Sequence, residues 1–168
     1  MPTPVSNTSP LIAFSRIDRM DILRAVAPRI VIPTAVFDEL HRGAHSGEPI
    51  ITALSEPAWF DVRPVAETAL LKLLKTELGA GEAEALALGL ELGATVIIDD
   101  LGARKAAARL GIDYVGTLGI ISKAKKLGVI AAVSPVLTAL QAAGIFYRDT
   151  LINRVIREEG EAQEQGEV

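Results

Sequence analysis

Apolar and polar positions along this chain recur on two periods, and the switches between them predict its elements. Short β-branched runs at 29–32, 59–65, 94–98 and 113–115 read as strands, and Val5 ends a further short extended piece. Pro33 stops the run at 29–32. Between these runs, apolar residues fall at helical spacing over 10–15, 18–26, 34–40, 81–92, 101–110, 118–127 and 135–143. Asp18 is placed to cap the second of these helices. The last four run into Gly93, Gly111, Gly128 and Gly144, the residue type that most easily takes the left-handed turn closing a helix. Strands that are apolar throughout, separated by helices, belong to a parallel sheet covered on both faces. The expected fold is therefore α/β: a three-layer, Rossmann-like α/β/α sandwich with a central parallel sheet. It occupies one domain over 1–159, and residues 160–168, polar and rich in Glu, Gln and Gly, are expected to form an acidic, disordered tail.

Composition changes this picture in a few places. Of 168 residues, 49% are hydrophobic but only 4% aromatic, so the core must be built from Ala, Leu, Ile and Val. The absence of cysteine removes disulfides, cysteine-held zinc, iron–sulfur clusters and thiol catalysis, and it fits a reducing compartment. No apolar run reaches the ~18 residues that would span a bilayer. The segment MPTPVSNTSP also lacks the basic and apolar stretches of a signal peptide. A cytoplasmic protein with no membrane partner is the expectation. The formal net charge is −4, but five glutamates fall within the last eleven residues, and without them the balance is +1. Segment 101–130 carries Arg104, Lys105, Arg109, Lys123, Lys125 and Lys126 against Asp113 alone. An acidic total thus leaves room for a polyanionic partner, although a solvated basic helix face accounts for the same pattern.

In parallel α/β sheets, ligands collect beyond the carboxyl ends of the strands, where strand order reverses. Asn7, Thr8 and Ser9 follow the first extended piece at once, and Asp99 and Asp100 follow the run 94–98. Adjacent carboxylates at the end of a buried strand repel each other unless a cation or hydrogen-bond donors offset them. A helix cap accounts for one of the pair and poorly for two. Glu82 and Glu84 fall in a helical first turn, where the helix dipole alone favours an acid by ~0.3–1 kcal/mol. Standing two residues apart, they project from different faces, so one of them can face a shared site. Glu39 lies beside the apolar Val36 and Leu40, where a carboxylate needs a partner, whereas its neighbour Asp38 is expected to face solvent.

If these acids converge, oxygen ligands without His or Cys favour Mg²⁺ or Mn²⁺. That is the chemistry of metal-assisted phosphodiester hydrolysis. Competing motifs fall away. Gly79-Ala80-Gly81 has Glu84 where a dinucleotide fingerprint has its third glycine, and first-turn acids repel a pyrophosphate. His41 and His45 flank Gly43 at a helix end and read as solvated.

These residues, in this order, resemble the PIN-domain nucleases, and within them the subgroup close to VapC-type toxins. The matching stretches are Val5-Ser6-Asn7-Thr8-Ser9-Pro10-Leu11-Ile12, Ile32-Pro33 through Val36 to Glu39-Leu40, and Gly81-Glu82-Ala83-Glu84-Ala85-Leu86. Ile98-Asp99-Asp100 follows, then Gly116-Thr117-Leu118-Gly119 with Ala124-Lys125-Lys126 and Gly128. The resemblance implies a metal-dependent endoribonuclease that holds Mg²⁺ or Mn²⁺ at the strand ends, as the toxin of a toxin–antitoxin pair.

Carried over, Asn7 stands at the first acid, Glu39 at the second, Glu82 or Glu84 at the third, and Asp100 at the fourth with Asp99 beside it. Gapless counting back from the fourth favours Glu82, which gives a catalytic set of Asn7, Glu39, Glu82 and Asp100. Thr8, Ser9, Arg104, Lys105, Lys123 and Lys126 are expected to contact RNA. An antitoxin over the acidic site and a homodimer follow from the same likeness. Aspartate is the common residue where this chain has Asn7. An amide oxygen can ligate but contributes no charge, so weaker metal binding is expected. The alternative is a PIN-like module that binds RNA or protein without cleaving.

Overall fold

The computed structural model describes residues 2–161. The chain begins with β1 (Val5–Ser6), α1 (Thr8–Arg16), α2 (Met20–Val26), β2 (Ile30–Pro33), α3 (Thr34–Gly43), α4 (Pro49–Ala53) and β3 (Phe60–Arg63). It continues through α5 (Ala69–Glu77), α6 (Ala80–Leu92), β4 (Val96–Ile97), α7 (Leu101–Leu110) and β5 (Tyr114–Val115). Three helices complete it: α8 (Thr117–Lys126), α9 (Ser134–Ala142) and α10 (Asp149–Glu158).

The strands form one parallel sheet in the order β3-β2-β1-β4-β5. Val5 pairs with both Val31 and Val96, so β1 lies at the centre. Period-two alternation splits the core into two. Ile30, Ile32 and Ile97 pack on one face with buried residues of α1–α4 and α8–α10. Val5, Val31, Val96 and Ile98 pack on the other with α5, α6 and α7. Because the three central strands β2, β1 and β4 are buried throughout, while the edge strands β3 and β5 are partly exposed, helices must cover both faces, and the α/β/α sandwich follows.

The structure departs from the sequence expectation in several elements. Helices α4, α5 and α10 were not expected. In α5 only Leu71 and Leu74 are buried while Leu73 is 61% exposed, so apolar residues lie outside the core stripe and blur its period. A local signal for its start did exist: the Thr68 hydroxyl accepts from Leu71 N at 3.2 Å. Strand 59–65 narrows to Phe60–Arg63 and 94–98 to Val96–Ile97. Ala94 is held in a helix-end turn by Gly89 O, although Ile98 N still donates to Val115 O at 2.9 Å. Pro33 is the last residue of β2, not the stop after it, and stands at the N-cap of α3.

Asp18 does not cap α2. It takes a left-handed backbone with φ 53°, incompatible with the extended conformation of a cap, and Arg19 stands at that position with its guanidinium on Asp21. The description of the chain reaches Glu161, two residues past the expected boundary at 159, and 162–168 of the expected tail lie outside the described residues. Among the described residues, no helix is long and apolar enough to cross a membrane.

Candidate active site at the strand carboxyl ends

All five strands run the same way, so their carboxyl ends share one edge. From β1 the chain moves outward to β2 and β3, then returns to β4 and β5 on the other side. Strand order thus reverses between β1 and β4, where a crevice forms for ligands. Asn7 leaves β1 there, its N–H donating to Ile97 O at 3.0 Å.

Asn7 is the N-cap of α1, with φ −82° and ψ 173°, a position where asparagine ordinarily accepts a bond from the helix's first turn. Here its side chain makes no cap bond. Instead it is wholly buried, and neither Oδ1 nor Nδ2 has a partner. An unpaired buried polar group costs about 1–3 kcal/mol. Two on one amide, at the strand reversal, mark a place that expects a guest.

Glu39 reaches the same edge from α3. Its Oε1 accepts from Gly81 N at 3.0 Å and its Oε2 from the Thr8 hydroxyl at 2.5 Å. Gly81 has no room for a side chain, since a Cβ there would lie 2.5 Å from Glu39 Oε2 and 2.7 Å from Oε1. Asp38 is exposed, as expected. On the far side of β4, the half-buried Asp99 accepts from Thr117 N at 2.8 Å, Thr117 Oγ1 at 2.6 Å and, more distantly, Tyr147 OH at 3.4 Å. Arg104 Nη2 stands 3.9 Å from Asp99 Oδ1, while its Nε donates to Ile98 O. Burial, then the negative charge of Asp99, pushes the Tyr147 phenol well above its ordinary range and keeps it protonated.

The remaining candidates divide. Asp100 is exposed and caps α7 through Ala103 N at 2.8 Å. Glu84 accepts from Ala35 N at 3.0 Å, tying α6 to the start of α3. Glu82 folds back over Gly79, 2.5 Å from where a Cβ would stand. Thr8 is committed to Glu39, and Ser9 is exposed.

Lys105 is exposed on α7, but Lys123 and Lys126 are not brought to this edge. They lie six and nine residues after Thr117 along α8, roughly 9 and 14 Å down the helix at ~1.5 Å per residue. Lys123 lines a cavity with Pro4, Arg29 and Thr95, residues that precede strands. Three more cations of the basic segment meet acids from elsewhere: Arg104 with Asp99, Arg109 with Glu77 and Lys125 with Glu161. His41 bonds Phe37 O on an exposed helix end.

The sequence reading missed Thr117 and Tyr147 as partners of Asp99. Thr117 had a signal, since it lies just past β5, one residue beyond Gly116 and at the start of α8. Tyr147 had none, because its loop is brought to Asp99 only by the packing of α10.

Does this donor set suit a divalent cation? In kind it does, because Asn7, Glu39 and Asp99 offer oxygen atoms and the Asn7 amide lacks any partner. In charge it is poor: among the described residues, no three of His, Cys, Asp and Glu stand close enough to hold an ion by themselves. Any ion here must therefore lean on the neutral Asn7.

The class the structure defines is a parallel α/β/α sandwich with carboxylates near its strand reversal. The chain belongs to the PIN-domain family, whose model matches residues 3–161. A solved PilT N-terminus domain protein from the hyperthermophilic archaeon Sulfolobus solfataricus P2 shares the fold, with a TM-score of 0.52 and 22% identity. The match covers 71% of this chain and 91% of that one. No curated protein matches the sequence.

Proposed function

We propose that this PIN domain is an endoribonuclease with a weak requirement-setting site for Mg²⁺ or Mn²⁺ at the β1/β4 edge. The observation that carries the reading is the Asn7 amide, wholly buried and unpartnered at the strand reversal, with Glu39 and Asp99 on the neighbouring strands' connections. Asn7, Glu39 and Asp99 would hold the ion, with Asp100, Glu82 and Glu84 adding negative potential along the edge. When bound, such an ion supplies a polarised water and positive charge for the scissile phosphate.

The chain's own groups do the positioning. Thr8 and Gly81 N fix both oxygens of Glu39, so the carboxylate is oriented before substrate arrives. Thr117 does the same for Asp99. Arg104, anchored through Nε, keeps guanidinium donors free for a phosphate oxygen, and Lys105 adds charge for the backbone. Hydrolysis adds water across the P–O3′ bond and leaves 5′-phosphate and 3′-hydroxyl ends. Because the cations act on the RNA backbone, affinity falls as salt rises. An antitoxin covering this edge and a homodimer are the protein partners this reading expects.

Labelled single-stranded RNA tests it. Cleavage should require Mg²⁺ or Mn²⁺ and disappear with EDTA or with Glu39→Gln. Cleavage that persists unchanged under either treatment overturns the proposal. A second reading, an RNA- or protein-binding module without cleavage, is favoured by the protein donors that already satisfy Glu39 and Asp99 and by the missing charge at Asn7. It predicts bound but intact RNA even in millimolar Mn²⁺.

A further inference from the structure

Beside Asp99, on the side away from β1, lies a cavity of about 340 Å³. Its walls include Asp99, Arg104 and Tyr114 from the sheet side, and Tyr147, Arg154 and Glu158 from α10 and the loop before it. The volume falls in the range of small-ligand sites, ~300–1,000 Å³. Tyr114 is 42% exposed on the edge strand β5, and the Arg104 guanidinium lies over its ring, 5.5 Å from the centroid. Gly116 leaves that guanidinium its space: a Cβ there would run into Arg104 and lie 2.8 Å from Asp99 Oδ1.

The charges of the cavity cancel, two arginines against two acids, so it does not select a phosphate group. Its guest is better neutral, flat and rich in hydrogen-bonding edges, since Tyr114, Tyr147 and the Arg104 guanidinium line it. Such surfaces take unstacked bases of single-stranded RNA. Arg154 has no ion-pair partner among the described residues and stands at the wall, available to the phosphate attached to such a base.

We infer that this cavity is a nucleobase subsite that seats one unpaired base of the RNA strand next to the scissile phosphate. The inference rests on the proposed RNA substrate of the adjacent edge. It adds that cleavage is registered by a base lodged against Tyr114 and Tyr147, so the cut position depends on a flanking nucleotide.

The test separates the subsite from the nuclease reading by measuring binding without chemistry. Full-length protein is titrated into a labelled six-nucleotide single-stranded RNA in EDTA, followed by fluorescence anisotropy. Tyr114→Ala, at an exposed position, should weaken binding about tenfold, the order of one lost base–aromatic stack. Arg154→Ala should weaken it a few-fold and reduce its salt dependence, while inorganic polyphosphate binding is unchanged by Tyr114→Ala. Wild-type protein should also choose among cut sites by a flanking base, and Tyr114→Ala should lose that choice.

Tyr114-dependent RNA binding with no cleavage in Mg²⁺ or Mn²⁺ supports the subsite and defeats the nuclease. Metal-dependent cleavage with the same affinity and cut pattern in wild type and Tyr114→Ala does the reverse. Absence of RNA binding altogether overturns the inference, as does a peptide partner that occupies the cavity and competes with no RNA.

Discussion

Asn7 concentrates the question of activity in one side chain. An N-cap asparagine normally satisfies itself on its own helix; this one does not, and its amide stays buried without partners. Replacing Oδ1/Nδ2 by a carboxylate would add a negative charge at the strand reversal. Asn7→Asp should therefore tighten Mn²⁺ binding in calorimetry and raise metal-dependent RNA cleavage tenfold or more. Without metal, the same variant should melt lower than wild type, because it places an unpaired carboxylate at a wholly buried position, and Mn²⁺ should restore the difference. Equal melting curves with and without Mn²⁺, together with unchanged cleavage, would remove Asn7 from any metal site. Thr117→Val tests the other side of the edge. It leaves Asp99 Oδ2 without its 2.6 Å donor and should destabilise the fold by about 1–3 kcal/mol in urea titration. Asn7 and Glu39 stood out in the sequence because they follow a strand or interrupt an apolar helix face, while Asp99 entered only as the neighbour of Asp100, the expected fourth acid, which instead caps α7. What satisfies Glu39 and Asp99 was not legible, since Thr8, Gly81 and Thr117 become partners only through contacts between elements distant in sequence.

At the scale of elements, α6 shows when sequence periodicity suffices. Its expected span of 81–92 nearly coincides with Ala80–Leu92, and Gly93 closes it at φ 60°. The helix is buried almost all round, so even without an amphipathic stripe its length and small residues identify it. By contrast, α4 is only five residues long, too short for a period to show, whereas α10 carries Leu151, Ile152, Val155 and Ile156 at helical spacing and packs them against the core, a signal the sequence reading passed over. The two glycines inside α6 have separate duties. Gly89 faces β4, where an added Cβ would collide with Val96 Cγ2. Alanine would gain about 1 kcal/mol of helix propensity there, but overpacking costs about 1–3 kcal/mol. Gly89→Ala should therefore lower stability in urea while leaving the RNA-binding edge intact. Gly81→Ala should do the opposite: it displaces Glu39 from its seat and removes cleavage with a smaller loss of stability. If both variants lost activity only in proportion to stability, the assignment of Glu39 as a positioned carboxylate would fail.

The whole molecule is closed by a single carboxylate near the end of the described chain. Glu161 accepts from Lys125 Nζ at 2.8 Å, Val133 N at 2.6 Å, Ser134 N at 3.0 Å and Ser134 Oγ at 2.5 Å. It thereby pins the end of α10 to α8 and to the start of α9. Partial burial pushes its pKa up, but the bonds from Lys125, Ser134 and the two backbone N–H groups outweigh this and hold it at about 2. A carboxyl group whose pKa falls on folding stabilises the native state only while ionised. Its contribution is full above the usual carboxylate range and is lost as pH falls from there toward about 2. Glu161→Gln should therefore cost about 1–2 kcal/mol at neutral pH, the order of one or two charge-assisted bonds. The gap between the urea midpoints of wild type and variant should narrow steadily from pH 5 down to the lowest pH at which both still fold. Because α10 also carries Arg154 and Glu158 to the cavity beside Asp99, hydrogen exchange in the variant should quicken along α10 before it does in α6 or α7. A midpoint gap that is constant with pH, or exchange that quickens uniformly, would show that the clasp is not what fixes this helix.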